Sequence, residues 1–352
     1  MNPIFHHHKI DRTVWAGGQE CLFFSGTSYL GMSASEDFAA LVSMGLKQYG
    51  VNHGLSRSNN LRLSIYEEFE SFVAKHAGAE KALVYSSGYL AGQATSSLIA
   101  QDMDAIFVAP STHPAILPHG NSHHVYGTIA EWRQDCLDYA SNHSGKNIAI
   151  LANALDALKP EIYDFAWVES LPDTNRYTLL IDDSHAFGVM GGDIYGSYST
   201  WKHLPVELIV SGSMGKGLSI PAGIVLGSAS FIDRMEMHAM YRGASPPPPA
   251  FLWAFLNAQS LYKGQFRKLQ HNIKFFKSLI HDIKIHSGDW YLPIFRLLDE
   301  EHVKSLQQHK IVFSSFAYPT DNDPVVSRIV ISGWHEEGDL MDLKDALLAR
   351  GE

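Results

Sequence analysis

Cysteine is nearly absent from this chain: Cys21 and Cys136 are the two among 352 residues. They lie far apart and in no metal-ligand spacing, which excludes a disulfide framework and suits a reducing compartment. No apolar run approaches the roughly 20 residues that span a bilayer. Residues 1–5 lack the charged and apolar regions of a signal peptide. A cytoplasmic chain with no membrane partner is expected. Basic residues are the minority, 27 Lys and Arg against 37 Asp and Glu, for a formal charge of -10. That balance argues against nucleic acid as a partner, yet leaves room for a local basic site that takes an anionic substrate. The 19 histidines are scattered with no HExxH pattern, so no metal site is expected. His6, His7 and His8 are adjacent and are given no role.

What is present describes an ordinary globular enzyme, 45% hydrophobic and long enough for two domains. Short apolar, β-branched runs at 82–85, 105–108, 148–151, 178–181, 208–211 and 223–226 alternate with helical patterns at 61–76, 130–140 and 231–241. This alternation predicts an α/β fold with a mostly parallel central sheet flanked by helices. A run of four prolines, 246–249, breaks the pattern. Beyond it a long helix over 250–283 is expected, then strands at 290–297, 311–317 and 327–332 and a helix at 336–348. The expected division is an N-terminal segment 1–40 joining the smaller domain, a large domain 41–245, and a linking helix with a smaller α+β C-terminal domain 246–352.

Asp182 closes one apolar run, and Lys216, flanked by Gly215 and Gly217, follows the next. Pyridoxal phosphate needs that pair: an amine that bonds the cofactor aldehyde, and a carboxylate that keeps the pyridine nitrogen protonated. Glycine neighbours leave room and allow a sharp turn. Alone, such a Lys reads as a turn residue and such an Asp as a helix cap, and it is their conjunction that points to the cofactor. Ser87-Gly88-Tyr89 follows a strand and opens a helix, where backbone amides suit a phosphate. His113, after another strand, is a candidate to stack on the ring and move protons. His185 is a candidate donor to the cofactor's phenolic oxygen, and Ser213 to that oxygen or the phosphate. Arg328, in an expected strand of the smaller domain, offers a fork matched to a carboxylate.

These residues resemble those of the alpha-oxoamine synthases, fold-type I pyridoxal phosphate enzymes, from Ser28-Tyr29-Leu30-Gly31 nearly to the C-terminus. The likeness is carried by Leu55-Ser56-Arg57, Ser87-Gly88-Tyr89, His113, Asp182-Asp183-Ser184-His185 with Gly188, and Ser213 to Ser219 around Lys216. Pro248-Pro249, Arg328 and His335 extend it. There are departures. Leu55 replaces a glycine, Tyr66 stands where a His is usual, and Asn-Ala-Leu-Asp-Ala-Leu-Lys-Pro at 153–160 replaces a Ser-Met-Asp-Gly-Asp loop.

The resemblance implies a homodimer in which Ser245 reaches the partner subunit's cofactor phosphate, with Arg328 and Arg57 at the substrate. It implies decarboxylative condensation of an amino acid with an acyl thioester, carried by CoA or acyl carrier protein. A compact chain without a membrane segment fits L-alanine and a pimeloyl thioester, giving 8-amino-7-oxononanoate for biotin synthesis. Rival readings are a 2-amino-3-ketobutyrate CoA ligase, a soluble serine palmitoyltransferase-like enzyme, an aminotransferase, or a non-catalytic cofactor-binding protein.

Overall fold

The computed structural model describes residues 5–119, 124–318 and 320–349; of the chain start weighed as a signal peptide, residues 1–4 lie outside them. In chain order the first part comprises β1 (Thr13–Ala16), β2 (Gln19–Phe24), α1 (Glu36–Tyr49), α2 (Ile65–Ala77), β3 (Lys81–Tyr85), α3 (Gly88–Ala100), β4 (Ala105–Val108) and α4 (Ile129–Asn142). The middle holds β5 (Asn147–Asn153), β6 (Leu155–Asp156), β7 (Glu161–Ile162), β8 (Arg176–Asp182), α5 (Tyr198–Trp201), β9 (Glu207–Ser213) and β10 (Gly223–Gly227). The remainder is α6 (Ala229–Met237), α7 (Ala239–Gly243), α8 (Pro249–Asn257), α9 (Gln259–Leu279), β11 (Ile294–Leu297), α10 (Glu300–Gln308), β12 (Ile311–Ala317), β13 (Val325–Val330) and α11 (Glu337–Leu348).

Six strands form the central sheet in the order β3-β10-β9-β8-β5-β4. The pairs β9–β8, β8–β5 and β5–β4 are parallel, and only β10 runs against its neighbours. Strands β5 and β8 are almost wholly buried, which is why they read as unbroken apolar runs rather than alternating ones. Because β3, β4, β5, β8 and β9 share a direction, their carboxyl ends meet along one edge. In open α/β sheets that edge is where ligands bind. The register sets Asn153 opposite Asp182, and Asp182 opposite Ser211.

A second sheet has the order β1-β2-β12-β13-β11, so the first strands of the chain pair with the last. Its β12–β13 and β13–β11 pairs are antiparallel. Three expected elements differ. The 231–241 helix is interrupted at His238, whose extended backbone separates α6 from α7. The 250–283 helix divides at Ala258 into α8 and α9, where Asn257 and Gln259 donate to the carbonyls of Trp253 and Phe255. The strand expected from 290 begins only at Ile294, because Gly288 takes a positive φ in the turn before it and Pro293 supplies no N–H to a ladder. Among the described residues no helix is long and apolar enough to cross a membrane.

Candidate active site

Asp182 and Lys216 stand at the carboxyl ends of neighbouring strands, β8 and just past β9. Asp182 is buried, and its Oδ1 accepts from the Ser184 amide at 2.8 Å. Ser184 Oγ in turn accepts from the Ser213 amide at 2.9 Å, which ties the Asp182 strand end to the turn that carries Lys216. That turn closes through the Ser219 amide on the Lys216 carbonyl at 3.2 Å. Gly217 is required there: a Cβ would fall 2.2 Å from the Phe187 carbonyl oxygen. Burial lowers the Lys216 ammonium from its usual pKa, with Asp182 opposing the shift and Arg328 adding to it. The amine is thereby more readily neutral, as a nucleophile or proton carrier requires.

Both residues line a cavity of about 240 Å³ with His113, His185, Asn153, Asp156, Phe316, Tyr318 and Arg328. His113 Nδ1 accepts from the Ala115 amide at 3.1 Å, so the neutral ring carries its proton on Nε2. Its contact with Asp182 Oδ2, at 3.9 Å, is too long for a hydrogen bond. Burial holds the His113 pKa down, Asp182 opposes that shift and Lys216 reinforces it. His185 is depressed further, by burial first and then by Lys216, Arg328 and His113; its Nδ1 lies 2.7 Å from the Tyr29 hydroxyl. Arg328 comes from β13 of the other sheet. Its Nη1 donates to the Ala157 carbonyl at 2.6 Å, while its buried Nε has no hydrogen-bond partner among the described residues.

Residues 28–338 match the family described as aminotransferase class I and II. The chain belongs to that family. Similar proteins carry the name 8-amino-7-oxononanoate synthase. A putative 8-amino-7-oxononanoate synthase of Microcystis aeruginosa is 27% identical over 279 residues, 76% of this chain and 72% of that protein. The 8-amino-7-oxononanoate synthase of Klebsiella pneumoniae is 26% identical over 98% of this chain and 93% of its own. Two solved structures share the fold. Serine palmitoyltransferase of Sphingomonas wittichii superposes with a TM-score of 0.83 at 17% identity, covering 98% of this chain and 90% of that one. The 8-amino-7-oxononanoate synthase of Francisella tularensis gives 0.70 at 20%, covering 93% and 96%. The fold is therefore fold-type I α/β, and this family member is a pyridoxal phosphate-dependent enzyme.

The residues at the strand ends fit that cofactor. The start of α3 sits directly on the end of β9, since a Cβ on Gly88 would meet Ser213 Cα at 2.5 Å. The first turn of α3 and Ser213 are thus neighbours, and backbone amides at a helix start suit a phosphate. Ser87 caps α3 by accepting from the Leu90 amide at 3.2 Å. Ser87, Tyr89 and Ser245 are exposed in the single chain. Arg57 is elsewhere. It does not line the cavity with Lys216; its Nη1 and Nη2 bond the two Glu70 oxygens at 2.8 and 2.9 Å. His335 also stays outside the cavity, buried in contact with Phe24 and the Phe23 carbonyl.

The sequence reading passed over Asn153, which organises the His113 loop. Its Oδ1 accepts from the His113 amide at 3.0 Å and its Nδ2 donates to the Ser111 carbonyl at 2.8 Å. The available signal was the same one that marked Asp182, a polar residue closing an apolar strand. Tyr29 was noticed only inside a motif, because nothing in the sequence brings it to His185.

Proposed function

We propose that this enzyme condenses L-alanine with a pimeloyl thioester of CoA or acyl carrier protein, releasing thiol and carbon dioxide and leaving 8-amino-7-oxononanoate. The observation that carries the reading is one cavity lined by Lys216, Asp182, His113 and an incompletely bonded Arg328. The names of the similar proteins supply the particular substrates.

Bound pyridoxal phosphate supplies an electron sink for negative charge at the amino acid's alpha carbon. The chain's own groups do the rest. Lys216, its pKa lowered by burial, takes the alpha proton and later returns one. Asp182 keeps the pyridine nitrogen protonated, which a buried carboxylate beside a cation does well. His113 covers the ring face, and Arg328 fixes the substrate carboxylate. Overall, the alpha C–H bond breaks and a C–C bond forms to the thioester carbonyl. The thiol leaves with a proton, and the carboxylate departs as carbon dioxide. Charge stabilised as it develops is where such a site gains rate.

Exposed Ser245, beside the proline run, supports a homodimer in which that segment crosses to the other subunit's phosphate. The two sheets support a division near residues 41–245 and 246–352, with 1–40 joining the smaller part. The absence of a membrane-crossing helix among the described residues agrees with a cytoplasmic site of action. An assay of alanine, glycine and serine against a panel of acyl thioesters tests the reading. Thiol and carbon dioxide released in equal amounts, fastest with alanine and the pimeloyl thioester, is the expected result. Amino-group transfer without thiol release would replace the reading with an aminotransferase.

A further inference from the structure

The hairpin of β6 and β7 overhangs the cavity and carries Asp156, a carboxylate with only 4% of its surface exposed. One oxygen is engaged. Asp156 Oδ1 accepts from the Leu158 and Lys159 amides at 2.8 and 3.2 Å, which closes the turn. The other oxygen, Oδ2, is buried and has no partner among the described residues. Across the same cavity Arg328, 6% exposed, holds the Ala157 carbonyl with Nη1 while its Nε is likewise unpartnered.

An orphaned carboxylate oxygen and an orphaned guanidinium N–H, on two residues that line one cavity, are each costly in a low-dielectric interior. They are relieved together by a ligand that brings both an ammonium and a carboxylate. An amino-acid zwitterion is that ligand. A turn cap alone would need only Oδ1, so the cap does not account for the burial of an unpartnered Oδ2 on a residue that lines the cavity.

We propose that Asp156 receives the ammonium group of the incoming amino acid while Arg328 receives its carboxylate, forming the encounter complex that precedes amine exchange on the cofactor. The inference rests on the amino-acid reading of this cavity and deepens it. Asp156 recognises the backbone of any small amino acid and leaves the choice of side chain to the rest of the cavity.

Asp156→Asn is the informative substitution, because asparagine keeps the Oδ1 cap and turns the free oxygen into a donor that repels an ammonium. Calorimetry on borohydride-reduced holoenzyme, in which the ligand amine cannot exchange onto the cofactor, reads the encounter complex alone. L-Alanine, glycine and L-serine should each bind Asp156→Asn at least about tenfold more weakly than wild type. Propionate, which lacks the ammonium, should bind both proteins equally or the variant more tightly. Amino-acid affinity unchanged by the substitution would overturn the inference, and so would a parallel loss for propionate, which would mean that the turn and not the charge had been disturbed. Should asparagine unsettle the hairpin, Asp156→Glu keeps the charge. Alanine must then bind it more tightly than Asp156→Asn, and equal affinity again overturns the inference. Failure of the broader reading looks different: wild-type enzyme would bind none of the three amino acids.

Discussion

Arg57 and Arg328 are both largely withdrawn from solvent, yet they stand in opposite circumstances. Arg57 lays both terminal nitrogens on Glu70, with the Tyr66 ring 4.6 Å and the Tyr241 ring 5.6 Å from its guanidinium carbon. Arg328 meets one backbone carbonyl and the Phe316 ring at 5.9 Å, lines the cavity of Lys216, and keeps a buried Nε–H unmatched among the described residues. The family resemblance puts both at the substrate, Arg328 as the clamp for its carboxylate. The difference teaches that two buried cations need not be equivalent: Arg57 is satisfied by its ion pair, while Arg328 carries unfilled hydrogen-bonding capacity. Arg57 is a strut that joins the loop before α2 to the strand β3, since Glu70 also accepts from the Val84 amide at 2.8 Å.

The sharpest way to break the comparison is Arg57→Ala. It leaves Glu70 buried with one amide for company, and breaking a buried pair from one side costs about 3–5 kcal/mol. Urea unfolding should show that loss, and the folded fraction should bind amino acids as wild type does. Unchanged stability with lost amino-acid affinity would reverse the roles of the two arginines. Replacing both partners, Arg57→Met with Glu70→Leu, should restore much of the stability.

Arg328→Ala should act the other way round. A charged hydrogen bond contributes about 1.5–3 kcal/mol, so amino-acid affinity should fall about tenfold to a few hundredfold. Cofactor absorbance and unfolding midpoint should stay near wild type. Arg328→Lys should recover only part of the affinity, since a point charge cannot copy the fork. Full affinity in Arg328→Ala would remove β13 from the site.

Asn153→Ala should have the smallest effect. It releases the His113 amide and the Ser111 carbonyl, two neutral hydrogen bonds of about 1 kcal/mol each. Turnover should drop by roughly tenfold with little change in amino-acid affinity, and Asn153→Gln should restore little because its amide sits one methylene further out. An equal loss of affinity and turnover would mean that Asn153 touches the substrate itself.

The central sheet was legible because its strands are buried on both faces and so read as apolar runs; all six runs became strands. Asp182 stands out for the same reason, as the polar residue at which such a run stops, and Lys216 by its glycine neighbours just past β9. The hairpin of β1 and β2 was not read, although Gly17 and Gly18, both at positive φ, are the turn residues such a hairpin uses. Its strands are short and partly exposed, so their periodicity is weak. What no local pattern carries is long-range closure. Arg328 meets Ala157 across 171 positions and Tyr29 meets His185 across 156, so these contacts exist only once the two sheets pack. The Arg57 pairing is hidden for a related reason: its partner Glu70 is on the buried face of α2, and charge alone does not reveal that an arginine is already paired.

All of this turns on Lys216 being the residue that bonds the cofactor. Holoenzyme reduced with borohydride, digested and mapped by mass spectrometry should carry a pyridoxyl group on Lys216, and Lys216→Ala should carry none. A pyridoxyl group on any other lysine, or a protein that binds no pyridoxal phosphate, would contradict the account.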